Sequence, residues 1–372
     1  MRKRKRETME PHVPQSYHLD KRIETVMRKF KRSPQKLREI FIDRPRLIFS
    51  LSNFCDKHCV HCIACSDIHG KMCDFEKLSK IPEEFFRIFE YVDFGRTGDP
   101  LLYKWRKKDL ADVISLLFLK GGIRHFTIAA GLILSDKSYD VIKRIKKVKE
   151  HYGLSLESML TFHLYYPFPI SHVCKAFQRS LRYLSEISEE ITIAIIGDHF
   201  FTETSFLTAL KTFRQNLETI FGCFQGGEKL EDDTFLLRIN GKETKIEIKL
   251  NDVIYPLGRF KEYLQRKGRY EEYIKTFKVR RHLVCPDIGR WPGIVLETNG
   301  DLNLCGHFEA INNDATRVTN IFTHSYEEIE EKLLDIYQLE RRWFFAHLEL
   351  LRQAKVSACK LENRCYRKWY VK

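Results

Sequence analysis

Apolar and polar positions follow two different periods along most of this chain. Short apolar runs predict buried strands, and longer segments with apolar residues three or four positions apart predict helices. The predicted strands are RLIFSL (46–51), YVDFG (91–95), IRHFTIAA (123–130), MLTFHLYY (159–166) and ITIAIIG (191–197), with helices near 107–120, 136–151, 171–187 and 202–217. Strands joined by crossover helices indicate a parallel sheet, which right-handed connections can curl into a barrel or part of one. The pattern therefore predicts an α/β fold.

The two ends of the chain depart from this alternation. Residues 1–15 are predicted to be disordered, and HLDKRIETVMRKF predicts a helix that leads into the first strand. Asn240-Gly241 and Asn299-Gly300 predict the turns of two hairpins, and a helix is predicted over 325–355. The predicted organisation is a basic tail with a helical lead-in (1–42), a partial barrel (43–280) and a small C-terminal α+β module (281–372).

Composition indicates a globular protein, since 43% of the 372 residues are hydrophobic and 13% are aromatic. No apolar run reaches the ~18 to 20 residues that a membrane span requires. The basic start MRKRKR is not followed by an apolar segment, so a secretory signal does not fit. We expect a cytoplasmic protein that does not enter a membrane.

The formal charge of +14 comes from 64 Lys and Arg residues against 50 Asp and Glu residues. Such an excess favours an anionic partner through long-range attraction. However, the basic residues are spread over the whole chain, and the dense runs are MRKRKR and KRIKKVK (143–149). The charge therefore indicates a solvated basic surface and does not select a substrate.

Eleven cysteines point to metal ligation or reactive thiols, because a reducing compartment disfavours structural disulfides. Most of them fall into two groups that are far apart in the sequence. The first group is Cys55, Cys59, Cys62, Cys65 and Cys73, the second is Cys285, Cys305, Cys359 and Cys365, and Cys174 and Cys223 are solitary. This distribution predicts two separate metal centres.

Cys55, Cys59 and Cys62 have the spacing C-x3-C-x2-C and follow the first predicted strand directly. Three thiolates from one loop can bind three irons of a cubane cluster and leave the fourth iron open to a ligand. Thiolates also suit zinc, so the ligand type alone does not decide the metal. Cys65 offers an alternative C-x2-C-x2-C register with Cys59 and Cys62, and we interpret Cys65 and Cys73 as bystander thiols.

The C-x3-C-x2-C loop after the first strand resembles the signature of the radical S-adenosylmethionine (SAM) superfamily. The resemblance implies a partial (β/α)6 TIM-like barrel and a 4Fe-4S cluster whose open iron chelates the amino and carboxylate groups of SAM. It also implies reductive cleavage of SAM to methionine and a 5'-deoxyadenosyl radical that abstracts hydrogen, with electrons from a reductase, flavodoxin or ferredoxin. The family usually has an aromatic residue before the third cysteine, where this chain has His61.

A second landmark is Thr97-Gly98-Asp99-Pro100 after the next strand, where the family has Gly-Gly-Glu-Pro. Glycine lets the backbone approach a ligand closely, and a carboxylate can accept a hydrogen bond from an ammonium. The resemblance therefore implies that this segment recognises the amine of SAM. Weaker matches imply further contacts to the ribose and the adenine, and each of these residues also suits a plain core or strand-end position: Thr161, His163, Ile195 and Gly197.

In the C-terminal group, Cys285 and Cys305 flank the Asn299-Gly300 turn in a C-x14-G-x4-C pattern, and Cys359 and Cys365 follow as C-x5-C. The stretch ETNGDLNLCGHF resembles the auxiliary-cluster modules called SPASM and Twitch. A full SPASM module has seven cysteines, so four favour a Twitch-like module with one 4Fe-4S cluster. A structural zinc bound by the same four thiolates is the alternative.

Three functions remain open. The leading one is hydrogen abstraction from a peptide, leading to a cross-link or an oxidised side chain, since radical SAM proteins with these modules often mature ribosomal peptides. Related enzymes dehydrogenate sugars or alcohols. A second reading is modification of tRNA, favoured by the charge and by basic residues interleaved with aromatic ones in YRKWY (366–370). The third is a zinc-stapled nucleic-acid-binding protein without catalysis, which leaves Gly98-Asp99-Pro100 unexplained.

Overall fold

The computed structural model describes residues 15–41, 45–62, 64–134, 136–163, 170–196, 221, 225–231, 234–251, 258–279, 293–303 and 317–349. The strands are β1 (Arg46–Phe49), β2 (Tyr91–Phe94), β3 (Lys104–Trp105), β4 (Lys108–Asp109), β5 (His125–Ala130), β6 (Ser155–His163), β7 (Glu190–Ile196), β8 (Gln225–Glu231), β9 (Thr234–Ile239), β10 (Lys242–Asn251), β11 (Gly293–Leu296), β12 (Asp301–Asn303) and β13 (Arg317–Asn320). The helices are α1 (Gln15–Phe30), α2 (Leu37–Ile40), α3 (Phe75–Lys80), α4 (Glu83–Phe86), α5 (Leu110–Gly121), α6 (Lys137–Tyr152), α7 (Ile170–Ser185), α8 (Gly258–Arg266), α9 (Tyr270–Val279) and α10 (Tyr326–Ala346).

Eleven of the described strands form one sheet in the order β13-β12-β11-β1-β2-β5-β6-β7-β10-β9-β8. Seven neighbouring strands, from β11 to β10, are parallel, and antiparallel strands extend the sheet on both sides. The predicted α/β fold with a parallel sheet is confirmed. Among the described strands the sheet does not close into a barrel, so the finer expectation of a partial TIM-like barrel stays a prediction.

The central strands pack their alternate residues into the core, as the apolar runs predict. In β1 and β2 the buried positions are Leu47, Phe49, Val92 and Phe94. The parallel register places Phe49 beside Phe94, with ring centroids 6.0 Å apart. Because burial of one such side chain contributes ~1.5–3 kcal/mol, this layer fixes the register of the strands from which the cysteines project.

Helix α5, which links β2 to β5, begins at a capping box in the sequence DLAD. Asp109 accepts a hydrogen bond from the backbone N–H of Ala111, and Asp112 accepts one from the N–H of Asp109. Arg144 of α6 binds both carboxylates. This network joins two successive crossover helices on the sheet.

Both predicted hairpins are confirmed. Asn240 and Gly241, with φ of 52° and 77°, form the turn between the antiparallel strands β9 and β10. Asn299-Gly300 lies between the antiparallel strands β11 and β12, and Gly300 has φ of 90°. Strand β11 then pairs in parallel with β1. Residues after 281 therefore contribute strands to the main sheet, and the predicted boundary at 280/281 lies outside the described residues.

The predicted lead-in helix and C-terminal helix correspond to α1 and α10, which pack against each other. The ring centroids of Phe30 in α1 and Tyr337 in α10 lie 5.3 Å apart, and the Tyr337 hydroxyl donates to the backbone oxygen of Lys29. The helix predicted over 202–217 lies outside the described residues. Among the described helices, none combines the length and apolar character needed to cross a membrane.

Candidate metal centre

The cysteine loop, defined as residues 55–66, is closed by a ladder of backbone hydrogen bonds just beyond β1. The N–H of Asn53 donates to the oxygen of Lys71 at 2.8 Å, and the N–H of Cys55 donates to the oxygen of Asp67 at 2.9 Å. The N–H of Cys73 donates to the oxygen of Leu51 at 2.9 Å. The three predicted ligands therefore lie on one closed loop at the carboxyl end of a parallel strand, where ligands of such sheets collect.

Inside this loop the backbone winds tightly around Cys62. The Cys62 N–H donates to the oxygen of Cys59 at 3.1 Å, and the N–H of Ser66 donates to the Cys62 Sγ at 3.4 Å. Backbone donors to thiolate sulfur are among the features that tune iron-sulfur clusters. Cys55, Cys59 and Cys62 are partly buried, whereas Cys65 is exposed.

Burial dominates the electrostatics of the predicted ligands. It raises the pKa of Cys55 to about 11 and that of Cys59 to about 12, so these thiols are protonated at neutral pH until a metal replaces their protons. Cys55 and Cys62 also act electrostatically on Cys59. Even so, within the described residues no three Cys, His, Asp or Glu side chains are gathered closely enough for a metal ion. The loop brings the three thiols into one neighbourhood without gathering their sulfur atoms around a common point.

The predicted Thr97–Pro100 segment docks directly on this loop. The Gly98 N–H donates to Ser66 Oγ at 2.9 Å, and the Asp99 N–H donates to the oxygen of Phe54 at 2.9 Å. Gly98 has φ of 65°, and a Cβ there would lie 2.2 Å from the oxygen of Ser52, so the close approach requires glycine. The two motifs that the sequence singled out are therefore one structural unit.

Asp99 itself is engaged in a buried ion pair with Lys57, which lies between Cys55 and Cys59. The Lys57 Nζ is 2.6 Å from Asp99 Oδ2 and 2.6 Å from Asp56 Oδ1, and the side chains of Lys57 and Asp99 are 4% and 3% exposed. Burial acts to lower the pKa of Lys57, but the charges of Asp99 and Asp56 outweigh it and raise this pKa. The Asp99 carboxylate, which the resemblance assigns to the SAM amine, is thus occupied by the ammonium of this chain.

A third strand end reaches the same ion pair. The Asp99 carboxylate accepts from the N–H of Leu101 at 3.0 Å and, more weakly, from that of Gly131 at 3.4 Å. Gly131 follows β5, and a Cβ there would lie 2.6 Å from the Lys57 Cδ. Because Gly131 has no side chain, the Lys57 side chain has room to pass it and reach Asp99. Sequence reasoning missed Lys57 and Gly131, although a lysine inside the motif and a glycine closing an apolar strand were visible signals.

Helix α8 contacts the cysteine loop through Arg259. The Arg259 N–H donates to the oxygen of Cys62 at 3.2 Å, and its Nη2 donates to the oxygens of Cys65 and Ser66 at 3.0 and 2.6 Å. The Arg259 charge acts to lower the pKa of Cys59, against the larger opposite effect of burial. Nothing in the sequence pattern between 218 and 280 pointed to this residue.

A small apolar cluster holds α8 and α9 beside the loop. Phe260, Leu264 and Tyr273 are buried, and Val60 of the cysteine loop and Ile196 at the end of β7 pack against them. The helix pair therefore bridges the cysteine loop and a distant strand end of the same parallel sheet.

The remaining predicted SAM contacts have different surroundings. Burial lowers the pKa of His61 to about 4, so its imidazole is neutral at pH 7. Thr161 is partly exposed near the end of β6, His163 ends that strand opposite Ile196, and Ile195 is buried in the main core at 2% exposure. Two further described cysteines differ in burial: Cys73 is fully buried, and Cys174 is partly buried against the core.

Several predicted positions lie outside the described residues: Gly197, Cys223, Cys285, Cys305, Cys359 and Cys365. Part of the hairpin between Cys285 and Cys305 lies within the described residues. The residues that follow its strand β11 contact the residues that follow β1 and β2. Thr298 Oγ1 donates to the oxygen of Ser50 at 2.9 Å, and Arg96 after β2 pairs with Glu297 at 3.5 Å. The hairpin that Cys285 and Cys305 flank in the sequence is therefore joined to the ends of β1 and β2.

No protein-family model matches this chain, and a search of curated proteins likewise gives no match.

Proposed function

We propose that this chain is a radical SAM enzyme in which Cys55, Cys59 and Cys62 hold a 4Fe-4S cluster with one open iron. When bound, the cluster supplies the electron that cleaves SAM to methionine and a 5'-deoxyadenosyl radical, which takes hydrogen from a substrate carbon. One observation carries the proposal. The C-x3-C-x2-C loop closes at the carboxyl end of β1 and is hydrogen-bonded to the Gly98-Asp99 segment at the end of β2.

The donor chemistry of this loop suits a cluster with three protein ligands, whose binding would have to gather the three sulfur atoms. The three thiols share a short closed loop, and Ser66 already donates its N–H to the Cys62 sulfur. A structural zinc would need a fourth ligand. Cys65 is the next cysteine along the loop, but it is exposed and has φ of 51°, with its backbone oxygen bound by Arg259. These features argue against Cys65 as the fourth ligand of a closed tetrahedral zinc site.

Recognition of the SAM amine by Asp99 stays part of the proposal in a modified form. Both carboxylate oxygens already accept hydrogen bonds, including those from Lys57 and Leu101. The SAM ammonium would have to share this carboxylate with the Lys57 ammonium or take its place. Asp99 therefore serves first to hold the cysteine loop against the end of β2.

For the substrate we propose a peptide, with a flavodoxin, ferredoxin or reductase as electron donor. Support comes from the resemblance of the C-terminal cysteine pattern to Twitch-like modules and from the β11–β12 hairpin at its predicted turn. The alternative substrates are a sugar, an alcohol or a tRNA, and with any of them the reaction would begin with the same cleavage of SAM. Incubation with each class, followed by mass analysis, separates these cases.

Binding of SAM to a reconstituted cluster tests the proposal. The protein is purified without oxygen, loaded with iron and sulfide, reduced, and examined by electron paramagnetic resonance with and without SAM. We expect SAM to change the spectrum of the wild type and of Cys65→Ala, and Cys55→Ala to assemble no SAM-responsive cluster. If Cys65→Ala loses the cluster while Cys55→Ala keeps it, the ligand register is wrong. A wild type that binds zinc and forms no cluster contradicts the function itself.

A further inference from the structure

Arg259 presents one buried nitrogen that no other group in the described structure uses. Its backbone N–H and its Nη2 are committed to carbonyl oxygens of the cysteine loop. Its Nη1 is shielded from solvent and has no hydrogen-bond partner among the described residues. A buried donor on a charged group is costly when it lacks an acceptor, and an ion or ligand that accepts from it would remove this cost.

The described structure also provides Arg259 with no ion-pair partner. No described Asp or Glu side chain forms an ion pair with it, and the partners of its guanidinium are the neutral carbonyls of Cys65 and Ser66. Lys57, the other cation at the loop, is bound by two carboxylates. A partly buried guanidinium with neutral partners and a spare donor is well suited to an anion.

The position of Arg259 limits which anion it can meet. It is bonded to Cys62, Cys65 and Ser66, and its charge acts on Cys59. The packing of Phe260 and Leu264 with Val60 holds the start of α8 against the loop. The nearest place where negative charge would develop is therefore the thiolate set that forms when the loop takes up iron.

We propose that Arg259 binds the thiolate-ligated iron-sulfur cluster through Nη1 and that its charge favours the reduced, more negative state of the cluster. This inference rests on the proposed function, because it requires that Cys55, Cys59 and Cys62 hold a cluster. It adds a ligand-contacting residue from a helix some two hundred positions further along the chain. The same interaction makes cluster loading and the docking of α8 mutually dependent.

The test compares Arg259→Gln and Arg259→Lys with Arg266→Gln, an exposed arginine on the same helix. Each reconstituted protein is titrated against redox dyes, and its iron content and thermal unfolding are measured. We expect Arg259→Gln to lower the ratio of reduced to oxidised cluster about tenfold at a given potential, equivalent to about 59 mV for one electron. Arg259→Lys should recover part of this shift because it restores the charge, and Arg266→Gln should match the wild type.

The outcomes separate this inference from the proposed function. If the wild type assembles no cluster, both fail. If the wild type assembles a SAM-responsive cluster but Arg259→Gln and Arg259→Lys have its potential, this inference is overturned and the function stands. Should Arg259→Gln not fold, Arg259→Lys decides alone: a potential shifted relative to Arg266→Gln supports the contact, and an unchanged potential refutes it.

Discussion

Two cations meet at the cysteine loop, and they differ in what surrounds their charges. Lys57 is 4% exposed and lies 2.6 Å from each of two carboxylates. Arg259 has carbonyl partners and one buried nitrogen without a partner in the described structure. The first charge is neutralised within the fold, whereas the second remains available to a ligand. A positive charge near a metal site is therefore not informative until its partners are known.

The difference has a direct energetic meaning. Removal of one member of a buried ion pair leaves an uncompensated charge in a medium of low polarity. Removal of a cation that contacts neutral carbonyls leaves no unpaired charge behind, and water can reach the exposed one of the two oxygens, at Cys65. Lys57 should thus matter to the folded apo-protein, and Arg259 chiefly to the loaded one.

The largest expected effect is that of Lys57→Met, which leaves the Asp99 carboxylate buried without its ammonium. We expect a loss of ~3–5 kcal/mol in the free energy of unfolding, measured by urea denaturation of the apo-protein. Lys71→Met is the control, at an exposed lysine whose backbone oxygen helps to close the same loop, and it should change the free energy of unfolding little. Equal, small losses in both variants would mean that the Lys57–Asp99 pair does not hold the loop.

Gly131→Ala tests the close contact between the end of β5 and the Lys57 side chain. The added methyl group would lie 2.6 Å from the Lys57 Cδ, so either the lysine or the end of β5 must move. We expect a destabilisation of ~1–3 kcal/mol. In a Lys57→Ala background the same substitution should cost much less, and a full double-mutant cycle measures this coupling. Additive losses would contradict the contact.

His61 provides a pH-dependent contrast with Lys57, because burial removes its charge. Its folded pKa is about 4, below the ordinary value of about 6.5, so the unfolded chain binds more protons between these values. Stability should therefore fall as the pH drops from about 6.5 to 4, by on the order of 1–3 kcal/mol. His61→Phe should remove this part of the acid dependence, as followed by urea denaturation at several pH values. An unchanged slope in the variant would show that the imidazole is not buried.

The smallest effect on the apo-protein is expected for Arg259→Gln. Its lost hydrogen bonds involve the exposed carbonyl of Cys65, which water can satisfy, and the part-buried carbonyl of Ser66, so the loss should be about 1–2 kcal/mol. Urea denaturation beside Lys57→Met measures the difference. A larger loss for Arg259→Gln than for Lys57→Met would reverse the assignment of the two cations.

Sequence patterns predicted five of the seven described parallel strands, β1, β2, β5, β6 and β7, because each contains a short apolar run. They also predicted that Cys55 and its neighbours follow β1 directly. The antiparallel strands β8 and β13 were not predicted as parts of the same sheet, since sheet order depends on contacts between distant segments. The β3–β4 hairpin has two residues in each strand, too few for a periodic pattern.

The position of the cysteine loop was predictable from the sequence, and the residues that support this loop were much less so. The spacing of the cysteines lies within one loop and is visible in the sequence. By contrast, Arg259 reaches Cys65 across 194 positions, and the Lys57–Asp99 pair spans 42. The occupation of Asp99 by Lys57 also changes the role expected for that carboxylate. The local sequence does not show whether the Asp99 carboxylate binds the ammonium of Lys57 or that of SAM.

The most direct test of the central claim is the formation of 5'-deoxyadenosine from SAM by the reconstituted, reduced protein under anaerobic conditions. We predict that the wild type releases 5'-deoxyadenosine and methionine in equal amounts, and that Cys55→Ala releases neither. Cys65→Ala should retain the reaction. A fully loaded wild type that forms no 5'-deoxyadenosine, or a Cys55→Ala variant that forms as much as the wild type, would contradict the account.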